Sequence, residues 1–364
     1  MFLFTAFMIV FMMHYVAVAW TYLNTPFLSF NLFAKILPVF MTLFFFAAFI
    51  VPHQVHNDFT YILQIMAQSW LGVLFLYFIT VMAAMFLQLI FKLIGHPITF
   101  PLGPLAILAA FVLTAVSVSH ALKEPEITEL TITTETPGTD GIKIVQVSDT
   151  HFGATVTPSR AAKLTKQINA LEPDLILFTG DIFEDTGRYT PLFVENVKAM
   201  KAKLGKFGVT GNHEYYGGVM KNMDLFREAG ITPLQNKTVQ AGKINIVGIN
   251  DILSSGIKPQ YFEEIIRAGT VSNNNYNLLL SHSPLYLEEA ANNKIDLMLS
   301  GHTHNGQIWP FKYLTGLRFK NLYGLYKKGK TNLYVTSGTF YWGPALRLGS
   351  KNELPVITLK EAEK

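Results

Sequence analysis

An α-helical membrane domain followed by a layered α/β domain is the fold class this sequence predicts, and three features carry the expectation. Charged residues are almost absent from the first third of the chain. Short apolar runs recur through the remainder, and most of them open into a cluster of Asp, His, Asn or Gly. With 364 residues the chain is long enough for about two domains of ~150 residues each.

Between Met1 and Leu122 the only Asp, Glu, Lys or Arg residues are Lys35, Asp58 and Lys92. A helix crossing the roughly 30 Å hydrocarbon core needs about 20 predominantly apolar residues. Four stretches meet this, near Phe2 to Tyr22, Ile36 to Val51, Tyr61 to Phe91 and Leu102 to Leu122; the second is short and the third long enough to tilt. The competing reading is a cleaved leader before a very apolar core. Met1 is followed directly by Phe2, Leu3 and Phe4 with no basic n-region, and one leader does not account for four runs. Trp20, Tyr22, Tyr61 and Trp70 fall near expected span ends, as interfacial aromatics do, although Trp70 can equally sit mid-span. The spans show no buried ionisable residues of the kind that line a translocation path, which disfavours a transporter. His53, His56 and Asp58 share one loop and are read as interfacial rather than ligating. Lys35 lies between the first two spans and Lys92 between the last two, so basic loops kept in the cytoplasm would leave the C-terminal domain outside it; Lys123 argues the other way.

Residues 123–141 form a polar connection, within which Ile127 to Thr134 alternates as a half-buried strand does, reading as an edge strand or a stalk. From 142 to 364 the runs are continuous rather than alternating. Ile144 to Val147 leads into Ser-Asp-Thr-His, Leu175 to Phe178 into Thr-Gly-Asp, Phe207 to Val209 into Thr-Gly-Asn-His-Glu, Leu278 to Leu280 into Ser-His-Ser-Pro, and Leu297 to Leu299 into Ser-Gly-His-Thr-His. Such runs fit strands buried on both faces, with helices such as Pro158 to Leu171 and Val219 to Ala229 outside. Ligands of open α/β folds bind at the carboxyl ends of strands. All five clusters are expected to meet there. Asn250-Asp251, after Ile244 to Ile249, reads as a turn-forming pair.

The absence of cysteine excludes disulfides, zinc ribbons and a thiol nucleophile. A net charge of +4 with no basic arm does not point to nucleic acid. The five histidines of the C-terminal part, His151, His213, His282, His302 and His304, all fall in strand-end clusters beside Asp149, Asp181 and Asn212. Carboxylate, imidazole and amide oxygen without thiolate suit manganese, iron or zinc, and the number of imidazoles argues against calcium or magnesium alone. So many candidates exceed one ion's needs, so two divalent ions are expected. A pair about 3.5–4 Å apart suits in-line displacement at phosphorus.

The ordered set Asp149-x-His151, Gly180-Asp181, Gly211-Asn212-His213-Glu214, His282 and Gly301-His302-x-His304 resembles the signature of the calcineurin-like metallophosphoesterases. The strings at 211–216 and 301–308, with Leu346-Arg347-Leu348 and Glu353, resemble the bacterial membrane-associated branch, in which N-terminal helices precede the catalytic domain. The resemblance implies a layered β-sandwich flanked by helices and a phosphoric ester hydrolase in a bacterial inner membrane. It implies that Asp149, His151, Asp181 and His304 hold one metal, and Asp181, Asn212, His282 and His302 the other. It further implies that His213 is no ligand but faces the leaving group, with a partner such as Asp149. Where many relatives carry a further Asp after Gly-Asp, this chain has Glu184 and Asp185, which read equally as substrate contacts or as solvated loop charges.

From Asp296 to Glu353 no acidic residue intervenes, yet eight Lys or Arg residues and many aromatics do, a mixture suited to an anionic interface or simply a solvated basic face. Trp309 and Arg347, within it, are the candidate substrate-binding residues. The expected partners are a lipid bilayer and a phosphorylated substrate, read as a lipid carrying a phosphodiester, pyrophosphate or phosphomonoester. The alternatives are hydrolysis of soluble nucleotides and a receptor or scaffold that keeps the fold without turnover.

Overall fold

The computed structural model describes residues 2–26, 28–51, 58–184, 189–270 and 274–362; His53, His56 and Asp185 lie outside the described residues. The chain divides into two compact units, the first running to Ser119 and including Gly343–Leu346, the second comprising His120–Trp342 and the chain from Arg347 on.

The first unit holds helices α1 (Phe2–Leu23), α2 (Leu32–Ile50), α3 (Asp58–Leu93) and α4 (Leu102–Ala121, whose last turn enters the second unit). All four are long and apolar enough to cross a membrane. At about 1.5 Å per residue the 36-residue α3 is longer than a hydrocarbon core is thick. Trp70 lies inside α3, where its indole N–H donates to His14 Nε2 at 2.9 Å. His14 Nδ1 lies 3.0 Å from the Thr42 hydroxyl, so both ring nitrogens of this buried histidine are engaged across three helices. The expectation that the spans lack buried ionisable residues is corrected by His14. In an apolar helix a single polar residue leaves no periodic signature, and only the bundle shows that it has partners.

The second unit holds twelve strands among the described residues. They are β1 (Glu126–Thr134), β2 (Lys143–Val147), β3 (Leu175–Thr179), β4 (Gly205–Val209), β5 (Thr232–Pro233), β6 (Lys237–Ala241), β7 (Ile244–Gly248), β8 (Tyr276–Leu280), β9 (Leu297–Ser300), β10 (Gly324–Lys328), β11 (Thr331–Val335) and β12 (Glu353–Glu361). They form two six-stranded sheets, ordered β1-β12-β2-β3-β4-β5 and β10-β11-β9-β8-β7-β6. Parallel pairing runs through β2, β3, β4 and β5 in one sheet and through β7, β8, β9 and β11 in the other.

The continuous apolar runs follow from this layering, because successive strand residues face opposite sides. On β8, Leu278 and Leu280 enter the core between the sheets with Leu175, Leu177, Ile244, Ile246, Leu297 and Leu299. Leu279 points the other way, against Phe262, Ile265 and Ile266 of the helix Pro259–Gly269. That helix offers i, i+3, i+4 spacing and begins with Pro, whose missing N–H costs nothing at a first turn. Each fully buried leucine contributes about 1.5–3 kcal/mol.

The connection after α4 is not a free stalk. β1 runs parallel to β12 from Glu126 opposite Glu353 to Thr134 opposite Glu361, and so forms the outer edge of its sheet. Asp251 caps a short helix, accepting from Ser254 N at 2.8 Å, in keeping with a turn-forming pair.

Candidate metal centre

The parallel strands end together, and the turns that follow them carry unusual backbone. Asp149, His151, Asp181, His302 and His304 all have positive φ, between 45° and 70°. A non-glycine residue held there costs on the order of 1–3 kcal/mol and persists only where its surroundings enforce it. Here the enforcement is steric and polar. A Cβ on Gly180 would fall 2.6 Å from Gly211 N and 2.7 Å from His282 Nδ1, so only glycine lets the β3, β4 and β8 turns meet.

Glu214 binds the same turns from beneath. Its buried carboxylate accepts the N–H groups of Gly211 at 2.6 Å, Ile182 at 2.7 Å, Asp181 at 2.9 Å and Phe183 at 3.3 Å. Burial, with Asp181 nearby, pushes its pKa up to about 7. The motif string contains Glu214, but no sequence pattern states that its partners are backbone amides.

Above these supports the ligand-type side chains gather in two groups. In the first, His151 Nε2 and His304 Nε2 lie 3.1 Å apart, and His304 Nε2 is 3.3 Å from Asp149 Oδ1. In the second, His282 Nε2 is 3.2 Å from Asp181 Oδ2, 3.2 Å from Asn212 Oδ1 and 3.1 Å from His302 Nδ1. Asp181 Oδ2 is also 4.0 Å from His151 Nε2, so this carboxylate stands between the groups. His282 donates through Nδ1 to the Thr179 carbonyl at 2.8 Å, which leaves Nε2 with its lone pair toward the cluster. Two buried carboxylates and four imidazoles aimed inward form a donor set that fits two divalent cations. No pattern of hydrogen bonds lets imidazole nitrogens 3.1 Å apart all act as acceptors.

Burial lowers His302 and His304 to about 4, which keeps both in the neutral form that ligates a cation. Burial works against ionising Asp149 and Asp181, but the surrounding imidazoles, with hydrogen bonds from His304 to the one and His282 to the other, hold both below the usual carboxylate range.

His213 is the second residue of the helix Asn212–Tyr216; its N–H donates to Asp181 Oδ1 at 2.8 Å, and its ring, edge-on to His151 at a centroid distance of 4.8 Å, forms a further close group with His151 and Glu184. The expected partner was Asp149, whose carboxylate is instead taken by the His302 N–H, Ser148 and His304. The partner is Glu184, 3.3 Å from His213 Nδ1 and 2.8 Å from His151 Nδ1. Glu184 therefore belongs to the site rather than to a solvated loop. Exposed Tyr216 and half-exposed Trp342 flank the His213 ring at centroid distances of 5.3 and 6.0 Å. The motif reading missed Trp342, although it lies in the aromatic window.

The two substrate-binding expectations fare differently. Arg347 is fully buried, which corrects it from a substrate contact to an internal brace. It donates to the carbonyls of Ser337 at 2.8 Å and Phe340, to Asn352 Oδ1 at 2.9 Å, and to the His304 carbonyl at 3.4 Å. A guanidinium in an apolar-looking Leu-Arg-Leu string gives no sign of whether it faces inward. Trp309 remains 45% exposed, with its backbone N–H bonded to the Leu348 carbonyl at 2.7 Å, and none of its recorded contacts reaches the ligand cluster.

The family described as calcineurin-like phosphoesterase matches residues 142–306. An uncharacterized metallophosphoesterase of Campylobacter jejuni is 33% identical over 261 residues, which cover 70% of this chain and 68% of that protein. A Bos taurus transmembrane protein with metallophosphoesterase domain is 31% identical over 278 residues, covering 71% of this chain and 62% of its own length. Among solved structures, the 5'-nucleotidase precursor of Thermus thermophilus aligns at 16% identity and TM-score 0.39, over 60% of this chain and 54% of that one. The match thus spans about two thirds of the Campylobacter protein and less of the other two.

A carboxylate behind a ligating histidine typically contributes 10–100-fold to metal affinity or activity. Glu184→Ala is therefore expected to weaken metal binding at His151 by about that factor, read by metal analysis of the purified chain across a chelator series. Unchanged occupancy would mean that Glu184 supports neither His151 nor the ion.

Proposed function

The chain belongs to the calcineurin-like metallophosphoesterases, and we propose that it is a membrane-tethered, dinuclear-metal hydrolase of phosphoesters presented by lipids. The observation that carries the reading is the meeting of Asp149, His151, Asp181, Asn212, His282, His302 and His304 at one end of the sandwich, with His213 alongside, grouped with His151 and Glu184. Asp149, His151, Asp181 and His304 would hold one divalent ion, and Asp181, Asn212, His282 and His302 the other, with Asp181 shared. Manganese, iron or zinc suits these donors. When bound, such a pair lowers the pKa of an attacking water and stabilises charge on the phosphoryl oxygens.

The chain's own residues supply the remainder. In this reading His213 gives a proton to the leaving oxygen. Burial lowers its pKa, while the charges of Asp181 and of Glu184 at Nδ1 work in the opposite direction without reversing the shift. Burial works against ionising Glu184, but the hydrogen bond from His151 helps to hold it below the usual carboxylate range. Trp342 and Tyr216 beside His213 offer apolar walls for the group that leaves.

A lipid source is supported by the four apolar helices, which confine encounters to the bilayer's neighbourhood. It is supported also by the acid-free stretch between Asp296 and Glu353, whose basic residues gain on the order of 1 kcal/mol each near an anionic surface. The positions of Lys35 and Lys92 favour an extracytoplasmic catalytic domain, against the single Lys123 after the fourth helix.

Four outcomes test the reading. Asp181→Asn removes the shared charge and should abolish both turnover and two-ion occupancy, whereas His213→Ala should retain the ions and lose about 10²–10⁴-fold in rate. Two bound ions and full turnover in the Asp181 variant would sink the dinuclear assignment, and loss of metal in the His213 variant would sink the proton-donor role. The chain in nanodiscs should prefer lipid phosphoesters over aryl or nucleotide esters in water; turnover of the soluble esters alone would leave the metal chemistry standing and remove the lipid. A tag after Lys364 should react with membrane-impermeant reagent on intact cells, and its protection would reverse the sidedness.

A further inference from the structure

The helix Phe311–Arg318 is built the wrong way round for a protein surface in water. No residue in it is buried, yet Tyr313, Leu314 and Leu317 are 62%, 59% and 85% exposed, while Lys312 and Thr315 are the residues partly covered by the protein. A surface helix ordinarily turns its apolar stripe to the core and its polar face outward. Here the helix is held in place by other means. The Phe311 N–H bonds to the Ile308 carbonyl at 2.8 Å, and buried Phe319 closes the last turn through its N–H to the Thr315 carbonyl at 2.9 Å. Gly306 lies so close beneath Lys312 that a Cβ there would fall 2.2 Å from the Lys312 Cα. The apolar stripe is therefore left free by a helix whose position does not depend on it.

We propose that this helix is an interfacial docking element, which lays Tyr313, Leu314 and Leu317 into the headgroup region of an anionic bilayer. Charge selects the occupant. Arg318 and Lys320 adjoin the stripe in a stretch that has no Asp or Glu between Asp296 and Glu353, and the acid whose charge Lys320 meets, Glu288, is paired with Lys328. An apolar face bordered by Lys and Arg is the arrangement that amphipathic helices use to lie in an interface. The same chain carries four helices able to cross a membrane, so such a surface is always within reach of its tether. The docking element also adjoins the site. Gly306 follows the candidate ligand His304, and Phe319 packs edge-on against the candidate ligand His302 at a centroid distance of 5.0 Å. Docking would thus bring a bilayer surface to the rim of the ligand cluster. It does not depend on whether the hydrolysed ester is a lipid.

The chain has no cysteine, so Leu317→Cys gives a single attachment point for an environment-sensitive fluorophore, and 85% exposure means that the change removes no core contact. Leu192→Cys, on the exposed side of the helix Thr190–Lys198, is the matched control. The labelled full-length chains are placed in nanodiscs of equimolar phosphatidylcholine and phosphatidylglycerol with brominated acyl chains. The Leu317 probe should shift to the blue and be quenched severalfold more than the Leu192 probe, with the difference shrinking in discs of phosphatidylcholine alone. Equal quenching at the two positions overturns the proposal, and so does a blue shift at Leu317 without quenching, which would mean that a second copy of the chain covers the stripe. Unchanged quenching without phosphatidylglycerol overturns the role given to headgroup charge. None of these readouts needs turnover, so failure of the lipid-hydrolase reading would leave a different trace.

Discussion

Asp149 and Asp181 are held almost completely out of water at one end of the sandwich, and much of the second unit can be understood as what keeps two carboxylates there. Moving a carboxylate into a protein interior costs several kcal/mol unless cations and hydrogen-bond donors replace the water. The replacements come from five separate turns, which is why those turns must approach more closely than side chains would allow. Gly180 removes the obstructing Cβ, and positive φ at five of the candidate residues bends the chain toward the common point. Glu214 then anchors the turns after β3 and β4 through four backbone amides. The strain and the buried charge are two aspects of one constraint. Each is tolerable only while the cluster is complete, which suits a site whose donors are aimed at cations.

The same logic extends outward to residues that touch no candidate ion position. Arg347 is as costly to bury as the carboxylates, and its donors are consumed by carbonyls at Ser337, Phe340 and His304, so it fixes the turn that presents His304. Glu353, opposite Glu126 at the start of β12, accepts from Tyr334 at 2.9 Å and Thr336 at 2.8 Å, joining the two sheets near that turn. In the first unit, His14 is satisfied by Thr42 and Trp70. Polar groups without water specify helix partners there, because lipid offers no alternative bond.

What could be read before the structure was whatever leaves a local trace. Four apolar runs announce helices, since a bilayer demands length and composition and nothing more specific. Runs such as Leu175 to Phe178 announce strands covered on both faces, and the polar residues behind them announce strand ends. The edge strand β1 was visible from alternation, whereas β10, β11 and β12 were not. β12 inserts between β1 and β2. Its place there is set by pairing across more than two hundred residues.

The sequence by itself determined which residue types are available for chemistry, that they follow apolar strands, that the candidate ligands are oxygen and nitrogen, and that the first third of the chain is apolar enough for helices able to cross a membrane. Those are properties of composition and short spacing, which survive without knowing the fold. Only the tertiary structure decided that Glu184, thirty-three positions from His151, is the carboxylate behind both it and His213. It also decided that Arg347 faces inward, that Trp342 stands over His213, and that the helix Phe311–Arg318 shows its leucines to the outside. Each of these depends on which way a side chain points and what lies opposite, and a charged or apolar residue reads the same in a sequence whichever way it faces.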